Sequence, residues 1–390
     1  MENLLQKIDF QDNISLIFTA VLFFAFAIQA FYYLYFYTGT LRRKRKIKKN
    51  KVEFNHSQPP VSVIICAKNE EKNLAKFLPL ILEQDYFDYE VIVVNDGSWD
   101  NTKEVVQNFA KKYQRLYLTS LPNDVKVVSS KKLALTVGIK AAKNEILLFA
   151  DADCRPASKN WISMMVRNMG VNTEFVLGFG DYFRKKSLLN RLISFDTLFI
   201  AMQYLGFAFR GQPYMGVGRN LMYRKSTFFR LKGFAGHLHI SAGDDDLMVN
   251  LAAKKRNTAI ECSAESKTIS VPKTSFLDWI IQKRRHLDVS ACYKAKSKQL
   301  IGFEVFTRGL FYIFLILTIL RMNLFYTVVA ALLFLIRYII QLVVINRVSA
   351  YLGVRKFFIS LLFWDILLPL ISLYLTTIDK IFYRKKRCRY

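Results

Sequence analysis

Long apolar stretches lie at the two ends of this chain. One covers residues 14–37, and three more cover residues 303–320, 324–345 and 357–377. About 20 consecutive apolar residues suffice for an α-helix to cross the hydrocarbon core of a bilayer. The first stretch is longer than the apolar core of a signal peptide, and no small-residue cleavage site follows it. The pattern therefore predicts one retained N-terminal membrane span and three C-terminal spans.

The middle of the chain, residues 59–300, has a different pattern. Short β-branched or apolar runs alternate there with segments of helical periodicity. The strands are predicted at 61–66, 90–95, 116–120 and 145–150, and the helices at 71–84, 101–112 and 132–143. This order predicts an α/β fold with a Rossmann-like, mostly parallel sheet and crossover helices, flanked by transmembrane helices.

Polar residues inside two apolar stretches change their interpretation. Four of them interrupt residues 188–209, namely Asn190, Arg191, Asp196 and Gln203. That interruption favours a buried or amphipathic helix over a membrane span. Arg337 lies inside the stretch 324–345. Because a charge is costly in lipid, we expect Arg337 to face a protein partner or a cavity.

The chain is strongly basic, with 57 Lys and Arg against 30 Asp and Glu and a formal net charge of +27. Basic runs at 42–49 and 384–387 directly follow apolar stretches. Basic residues beside a span mark its cytosolic end and attract anionic lipid, so the first run is expected in the cytosol. Zinc knuckles, RNA-recognition signatures and helix-turn-helix patterns are absent from the sequence, so no nucleic-acid partner is expected.

Two further features concern the compartment. Four spans would place the basic tail, 384–389, outside the cell, whereas the positive-inside rule favours the inside, and the sequence leaves both open. The five cysteines are scattered, odd in number and without metal-ligand spacing. They indicate a reducing compartment and no disulfide framework.

Two carboxylates end the fourth predicted strand. Asp151-Ala152-Asp153 directly follows the apolar run 145–150. Carboxylate oxygens are hard ligands that suit Mg²⁺ or Mn²⁺, and such ions are often held by one or two carboxylates plus substrate phosphates. Ligands of parallel sheets bind beyond the carboxyl ends of the strands, where Asn69 and Asp96 also fall. The pattern predicts a metal and a phosphate-bearing ligand at this edge of the sheet.

Some of these residues also have structural interpretations. Asp96-Gly97-Ser98 is typical of a turn, with Asp100 as the N-cap of the next helix. Lys131 and Lys132 lie at a predicted helix start, a place that suits phosphate groups but is also found as a solvated helix end. Both interpretations can hold for the same residues.

Seven short motifs follow one another across residues 59–289. They read VSVIICAKNE, VIVVNDGSWDNT, KKLALTVG, DADC, GVGRNLMYRKS, GDDDL and QKRRH. In this combination the chain resembles the membrane-embedded family 2 glycosyltransferases, the branch with cellulose, chitin and hyaluronan synthases and ceramide glucosyltransferase. The resemblance implies the GT-A fold, a nucleotide-sugar donor and a divalent cation. The branch has a Gln-x-x-Arg-Trp motif on an interfacial helix, and here His286 replaces the Trp.

The resemblance also implies roles for individual residues. Those expected to bind the nucleotide-sugar are Ala67, Asn69, Glu70, Asp96, Lys131, Asp151, Gln282 and Arg285. Asp153 would ligate Mg²⁺ or Mn²⁺. The acceptor-side residues would be Gly218, Arg219 and His286. The metal and Arg285 would together stabilise the charge that develops on the departing diphosphate.

The general base is expected among the three acids that follow Gly243. If Asp246-Leu247 is taken as the fixed end of the family motif, the base is Asp244; if the acidic pair is fixed, it is Asp245. Helical spacing would place Asp244 on the same side as Leu247, with Asp245 turned about 100° away. We therefore expect Asp244 as the base and keep Asp245 as the alternative.

Three other residues could ligate a metal but have better interpretations. His237 and His239 lie in the Gly-flanked stretch 233–243, which we interpret as a loop over the acceptor. Solvated or acceptor-facing histidines are favoured over a third metal ligand. Cys154 follows the metal acids, but a thiol is a soft ligand, so a buried structural cysteine is favoured.

These expectations give an integral-membrane, inverting glycosyltransferase of the plasma (inner) membrane with a cytosolic catalytic domain. It would transfer a sugar from a nucleotide-sugar, with a UDP-sugar favoured, to a lipid-linked or saccharide acceptor. The predicted segments are an N-terminal span with its basic segment (1–58), the catalytic domain (59–274), an amphipathic interfacial helix (275–300) and the C-terminal spans with the tail (301–390).

Three rival functions are less favoured. A processive polysaccharide synthase that exports its product would need a channel, for which three C-terminal spans are few. An inactive membrane scaffold with the same fold would be expected to lose the metal acids or the base, and both are present. A nucleotidyltransferase usually needs a Gly-rich phosphate loop near the first strand, and Ala67-Lys68-Asn69-Glu70 is not one.

Overall fold

The computed structural model describes residues 12–121, 130–240 and 242–382. Ten β-strands lie in these ranges: β1 (Val61–Ala67), β2 (Tyr89–Asn95), β3 (Leu116–Ser120), β4 (Ile146–Asp151), β5 (Cys154–Pro156), β6 (Phe175–Leu177), β7 (Gly180–Tyr182), β8 (Leu221–Arg224), β9 (Thr258–Ile260) and β10 (Thr268–Ser270).

The same ranges contain thirteen α-helices. They are α1 (Asn13–Phe31), α2 (Gly39–Lys48), α3 (Glu71–Leu82), α4 (Thr102–Ala110), α5 (Ser130–Ala141), α6 (Trp161–Val166), α7 (Leu188–Phe209), α8 (Lys225–Arg230), α9 (Asp246–Ala252), α10 (Phe276–Ser290), α11 (Ala295–Leu320), α12 (Leu324–Tyr351) and α13 (Ser360–Phe382). A π-helical segment, Tyr32–Tyr37, continues α1 towards α2.

The larger sheet has seven strands in the order β3-β2-β1-β4-β8-β6-β9. Strands β1 to β4 are parallel, whereas β8 runs antiparallel to both β4 and β6. A second sheet has three strands in the order β5-β10-β7. The predicted mostly parallel sheet is thereby confirmed. In the register, Cys66 lies opposite Asp151 and Ala67 opposite Asn95, so the carboxyl ends of β1, β2 and β4 meet at one edge.

The central strands are buried on both faces of the sheet. Val63 and Ile65 pack on one face with Leu78 of α3. Ile64 points to the opposite face, where it packs with Ile139 of α5. Because successive side chains of a strand point to opposite faces, a nearly continuous apolar run is what a strand covered on both sides requires. The two layers fix the position of the strand ends that carry the polar residues.

Five helices are long and apolar enough to cross a membrane, namely α1 with its continuation, α7, α11, α12 and α13. They differ in burial: 72% of the apolar window of α7 is buried inside the protein, against 22% to 33% for the other four. Helix α7 therefore shields its apolar residues within the fold, as the buried-helix interpretation of residues 188–209 expects. The other four leave most of theirs exposed, as a membrane span would.

Charged side chains meet inside the bundle of apolar helices. Arg337 of α12 forms an ion pair of 2.8 Å with Asp365 of α13. Arg308 of α11 pairs with Glu304 at 2.5 Å, and its guanidinium also lies 3.5 Å from Asp365. All four side chains are buried. Arg337 thus faces protein, as predicted, and two cations balance two anions away from lipid.

The cysteine prediction is wrong at one position. Cys66, Cys154 and Cys262 are free thiols, but Cys292 is disulfide-bonded. Cysteines that are distant in sequence can meet through folding, which irregular spacing along the chain does not exclude. The basic tail 384–389 lies outside the described residues, so its side of the membrane stays a prediction.

Candidate functional site

The loops that follow β1 and β2 are bonded to each other. Asn69 has a left-handed backbone, with φ of 58°, and its side-chain oxygen accepts a hydrogen bond of 3.0 Å from the Trp99 backbone N–H. In return, the Asn69 backbone N–H donates to Ser98 Oγ at 3.0 Å. Asn tolerates this backbone region better than most residues, because its short side chain can bond locally. The structure therefore places Asn69 at the predicted edge, bonded to the loop after β2.

The acids of the second loop have separate positions. Asp96 is buried, and its backbone N–H donates to the Ala67 carbonyl at 2.8 Å, which draws the ends of β1 and β2 together. Asp100 accepts hydrogen bonds from the backbone of Thr102 at 3.0 Å and of Glu71 at 3.2 Å. One carboxylate thus caps the first turns of both α3 and α4. The N-cap residue of α4 is Asn101, so Asp100 is not the N-cap as predicted, although its carboxylate bonds to the first turn of that helix. Asp96 lies at the end of β2, at the predicted edge.

Three candidate metal-ligand side chains cluster beyond β4. Ligand atoms of Asp151, Asp153 and Cys154 all lie within 4.8 Å of one another. The Cys154 thiol is buried and lies 2.7 Å from Ser270 Oγ. Burial, and then repulsion from Asp151, raise the pKa of Asp153 to about 6. Cys154 Sγ also contacts Asp153 Oδ1 at 3.3 Å. Carboxylates are hard ligands and a thiol is a soft one, so the two crowded carboxylates suit a hard divalent cation.

Lys131 connects the strand edge with the acids before α9. Its ammonium lies 3.1 Å from Asp151 Oδ1 and 3.3 Å from Asp244 Oδ2. Burial raises the pKa of Asp151, but Lys131, Arg219 and Arg285 outweigh it and lower that pKa below its ordinary value. Lys131 therefore lies within the site and is more than a solvated helix end. A single cavity is lined by Lys131, Asp151, Asp244 and Asp245.

The three consecutive acids have three different environments. Asp244 is paired with Lys131. Asp245 accepts hydrogen bonds from the Gly218 backbone N–H at 2.5 Å and the Asp246 backbone N–H at 2.8 Å. Asp246 is buried and accepts a hydrogen bond of 2.8 Å from the Tyr293 hydroxyl. Burial, and then repulsion from Asp244, raise the pKa of Asp245 to about 6.

One argument for the register of the base is wrong. Helix α9 begins at Asp246, and Asp245 is its N-cap, so Asp244 precedes the helix and shares no helical side with Leu247. Gly243, with φ of +83°, turns the chain immediately before. The helical spacing begins two residues later than the sequence suggests, because Asp245 is the N-cap and Asp244 lies before it. The choice between Asp244 and Asp245 has to be made on contacts instead.

Arg219, one of the predicted acceptor-side residues, is connected to α10 through Tyr182. Arg219 donates to the Gly180 carbonyl at 2.8 Å, and its guanidinium stacks 4.3 Å from the centre of the Tyr182 ring. Gln282 donates to the Tyr182 hydroxyl at 3.2 Å. Tyr182 thus joins two motifs that are far apart in sequence, and it was not among the predicted residues. Its short strand, β7, carries no sequence signal that would have singled it out.

Helix α10 carries the Gln-x-x-Arg motif and is shorter than predicted. It ends at Ser290, and α11 begins at Ala295, so 275–300 is not one continuous helix. Lys283 holds α10 against α7 through an ion pair of 2.7 Å with Asp196. Arg285 and His286 are exposed. Among the described residues, Arg285 forms no ion pair, which leaves its guanidinium available to an anionic ligand.

Lys132, predicted at a helix start, has a buried structural role next to the site. It is fully buried, and its ammonium donates to the carbonyls of His237 at 2.7 Å and Ile240 at 2.8 Å. The solvated helix end is therefore the wrong interpretation for this lysine. His237 is also buried, so it is neither solvated nor acceptor-facing, and burial lowers its pKa to about 4. Neither His237 nor His239 belongs to the metal cluster found among the described residues.

Comparison with known proteins identifies the domain. Residues 62–231 match the family Glycosyl transferase family 2. A dolichyl-phosphate beta-glucosyltransferase of Trichomonas vaginalis is 38% identical over 108 residues, which are 26% of this chain and 32% of that protein. A poly-beta-1,6-N-acetyl-D-glucosamine synthase of Staphylococcus epidermidis is 33% identical over 103 residues, 26% of this chain and 24% of that protein. The chain thus spans about a third or less of the length of these relatives.

A solved structure shares the fold across most of the chain. It is a mannosyltransferase from Pyrobaculum calidifontis in complex with GDP-Man and Mn²⁺, with a TM-score of 0.58 and 16% identity over 94% of this chain and 100% of that one. The family match and the shared fold agree with the strand order and with the acids at the strand ends. Residues 62–231 therefore form a domain that matches glycosyl transferase family 2, with the GT-A fold, and long apolar helices flank it.

Proposed function

We propose that this protein is a membrane-bound, inverting hexosyltransferase that uses a nucleotide-sugar, favouring a UDP-sugar, and a lipid-linked or saccharide acceptor. The observation that carries the proposal is the single cavity where Asp151, Lys131 and Asp244 meet, with Asp153 two residues beyond the strand end. Metal acids, a cation for phosphate and a candidate base are the groups that sugar transfer from a diphosphate needs. The family match supports the same chemistry.

The donor would lie across the carboxyl ends of β1, β2 and β4. Asp96, at the end of β2, is positioned to accept hydrogen bonds from the base or ribose, as acids at such strand ends do. Lys131 and Arg285 supply positive charge for the diphosphate, and both already lower the pKa of Asp151. Ala67, Asn69 and Glu70 would form the wall of this part of the site.

The carboxylates of Asp151 and Asp153 would hold Mg²⁺ or Mn²⁺. When bound, such a cation supplies Lewis-acid stabilisation of the diphosphate leaving group. The repulsion between Asp151 and Asp153, which raises the pKa of Asp153, supports a cation between them. The structure of the Pyrobaculum mannosyltransferase, which has the same fold, contains Mn²⁺. This supports a divalent cation of the same class in the present protein.

The transfer would be a single displacement. The acceptor hydroxyl oxygen attacks the anomeric carbon, and its proton passes to a carboxylate oxygen of Asp244. The bond between the anomeric carbon and the diphosphate oxygen breaks with its electron pair, and the nucleoside diphosphate leaves. Attack from the face opposite the leaving group inverts the configuration, and no enzyme nucleophile takes part.

Contacts favour Asp244 over Asp245 as the base. Both oxygens of Asp245 are occupied by backbone N–H groups, from Gly218 and from Asp246, so its carboxylate shapes the acceptor-side loop. Asp244 and Asp245 both line the cavity, but the partner of Asp244, Lys131, is a side chain that is partly exposed to solvent.

The position of the basic segment supports a cytosolic membrane face for the site and its acceptor. Arg43, in the basic helix α2, donates to Asn168 of the catalytic domain at 2.6 Å. The basic segment and the catalytic domain therefore share one side of the membrane, which the positive-inside rule makes the cytosol. An acceptor carried by lipid would reach the site from that face, and the names of the two relatives include a lipid-phosphate substrate and a polymer product.

The proposal is tested with the full-length protein in detergent. A panel of UDP-, GDP- and other nucleotide-sugars is assayed for diphosphate release, with and without lipid extract and Mg²⁺ or Mn²⁺. We expect diphosphate release with one donor class. Asp153→Asn should abolish this release, whereas the control variant Asp88→Asn should leave it intact, because Asp88 is an exposed acid at the opposite end of β2. Absence of release with every donor would favour the inactive scaffold. The length of the product distinguishes the two remaining functions. Single transfer adds one sugar, whereas a processive synthase adds many.

A further inference from the structure

A large apolar groove lies outside the catalytic cavity, between the first membrane helix and the start of α11. Its volume is about 650 Å³. The lining residues are mainly aromatic and aliphatic and include Tyr32, Phe36, Leu300, Gly302, Phe303 and Phe306. The Tyr32 hydroxyl donates to the Leu300 carbonyl at 2.7 Å, which joins the two walls. We call this the interfacial groove.

A basic cavity adjoins the groove and shares Gln212, Lys296 and Leu300 with it. Its volume is about 260 Å³, and four lysines line it, namely Lys254, Lys255, Lys294 and Lys296. All four lysines are exposed. Among the residues that the structure describes, no Asp or Glu lines either space, and none of these lysines forms an ion pair.

The electrostatics of the basic cavity call for an anion. Burial, and then the charge of Lys254, lower the pKa of Lys294, which shows that the lysines repel one another without a compensating carboxylate. The Lys294 ammonium instead donates to the Leu251 carbonyl at 2.7 Å. Four cations at one end of an apolar groove are complementary to a molecule with a negative head and an apolar chain. The position beside α1 and α11, two candidate spans, puts that molecule within reach of the bilayer.

We propose that the interfacial groove and the basic cavity together bind one anionic phospholipid of the bilayer. An acyl chain would lie along the aromatic wall formed by Phe36, Phe303 and Phe306. The phosphate of the headgroup would lie among the lysines, where Lys296 follows the N-cap of α11 and the helix start adds its own positive potential. The proposal does not depend on the donor or acceptor, because neither Asp244 nor Asp153 lines these spaces.

The lipid site is connected to the catalytic acids by one short helix. Asn250 of α9 donates to the Tyr214 carbonyl at 2.8 Å and accepts from the Lys294 backbone N–H at 2.8 Å. Helix α9 begins directly after Asp245 and ends just before Lys254. A lipid phosphate at the far end of α9 would therefore hold the segment on which the acids lie. Bound anionic lipid is expected to raise turnover as well as stability.

The groove is tested with two glycines of α11. A Cβ added at Gly302 or at Gly309 meets nothing within 4 Å, so the first atom of a tryptophan side chain has open space at either position. Only Gly302 lines the groove. Native mass spectrometry of detergent-purified protein, incubated with phosphatidylglycerol or phosphatidylcholine, counts retained lipids. We expect wild type and Gly309→Trp to retain one phosphatidylglycerol in preference to phosphatidylcholine. Gly302→Trp should lose this bound lipid.

The headgroup is tested with a charge variant and a matched control. Lys254→Gln with Lys296→Gln is expected to weaken the preference for phosphatidylglycerol by about tenfold or more, since each lysine near an anionic surface contributes about 1 kcal/mol. Lys103→Gln with Lys111→Gln removes the same charge from exposed positions on and after α4 and is expected to leave the preference unchanged.

Three outcomes would overturn the proposal. The first is equal retention of phosphatidylglycerol and phosphatidylcholine by wild type. The second is retention by Gly302→Trp at the wild-type level, which would place the lipid elsewhere. The third is that inorganic phosphate alone removes the preference for phosphatidylglycerol, and does so equally in wild type and in Gly302→Trp. That result would indicate a site for a soluble phosphate.

Discussion

The sharpest prediction separates the roles of two neighbouring acids. Asp244→Asn and Asp245→Asn each replace one carboxylate with an amide of nearly the same shape. If Asp244 is the base and Asp245 holds the Gly218 loop, the first variant loses chemistry and keeps its fold. The second keeps part of its chemistry and loses stability. Loss of a positioned general base commonly lowers rates by about 10²–10⁴-fold, so kcat of Asp244→Asn should fall by that factor.

The affinity of Asp244→Asn for the donor should not decrease, although its transfer rate does. The variant removes a negative charge 3.3 Å from Lys131, and the freed ammonium can then interact more fully with a diphosphate. The dissociation constant of the nucleotide-sugar is therefore expected to stay the same or decrease. Isothermal titration with the nucleoside diphosphate measures it, and single-turnover transfer measures the rate.

The stability effect should appear at Asp245 instead. Its carboxylate accepts from two backbone N–H groups, at 2.5 and 2.8 Å, and an amide can replace only one of these acceptors. Loss of one hydrogen bond to a charged group costs about 1.5–3 kcal/mol. We expect a lower melting temperature for Asp245→Asn in detergent, and a kcat reduced by about tenfold or less, because the Gly218 loop is displaced and the base remains.

The pH dependence gives a second measure of the same assignment. Burial and Asp244 raise the pKa of Asp245 to about 6 from 3.8, so the folded protein holds this proton more tightly than the unfolded chain. The stability contribution of this group therefore falls as pH rises from about 4 to 6, whereas Asp245→Asn lacks that dependence. The melting-temperature deficit of the variant should therefore be largest near pH 4 and shrink as pH rises. Below pH 6 the protonated acid also loses acceptor capacity for the loop, so wild-type kcat should decline there.

Two results would refute the reasoning. One is full activity of Asp244→Asn together with inactive, stably folded Asp245→Asn, which would make Asp245 the base. The other is activity in both variants, which would move the catalytic centre away from this segment. Asp88→Asn, an exposed acid outside the cavity, controls for a general effect of removing one carboxylate.

Four further predictions address other parts of the molecule. Asp153→Asn, like excess chelator with wild type, should abolish transfer while the melting temperature is kept, and full activity in either case would exclude the metal assignment. Arg285→Ala should lower kcat by about 10²-fold with little change in melting temperature, because its side chain is exposed; loss of folded protein would make Arg285 structural instead. A Cys at Asn50, after native thiols are replaced, should resist membrane-impermeant thiol reagents in intact cells, and ready labelling would invert the topology. Lys132→Met should lower the stability by about 2 kcal/mol or more, since two buried carbonyls lose their donor, and an unchanged melting temperature would contradict that role.

The strand edge could be predicted from sequence because local pattern determines it. Apolar runs that stop at Asn69, Asp96 and Asp151 can only meet at one edge when the strands are parallel and joined by helices. The register confirms this, with Cys66 opposite Asp151 and Ala67 opposite Asn95. The geometry of the backbone brings these polar residues together. That geometry depends mainly on the alternation of strands and helices, which the sequence pattern reveals.

The contacts around that edge could not be predicted, because they join residues far apart in the chain. Lys132 and His237 are separated by 105 positions, and nothing in either segment marks the buried contact between them. Tyr182 lies 100 positions from Gln282, in a strand of three residues. The side of Asp244 was wrongly predicted for the opposite reason, since helical spacing was extended two residues too far, back through the N-cap Asp245. Non-local packing, and the exact start of a helix, both require the folded chain.

Helix α7 shows how an apolar helix can belong to the catalytic domain and still serve the membrane region. Gly206 of α7 and Gly39 of α2 approach so closely that a Cβ on Gly39 would lie 2.7 Å from the Gly206 Cα. Phe207 of α7 packs edge-to-face against Phe36 with 4.6 Å between ring centres, and Arg210 lies 3.8 Å from the centre of the Tyr35 ring. The apolar surface of α7 is therefore covered by the first membrane helix on one side and by the core of the sheet on the other. Small residues at the crossing permit close backbone packing, so the domain meets the bundle through direct contact, in addition to the segment that links them.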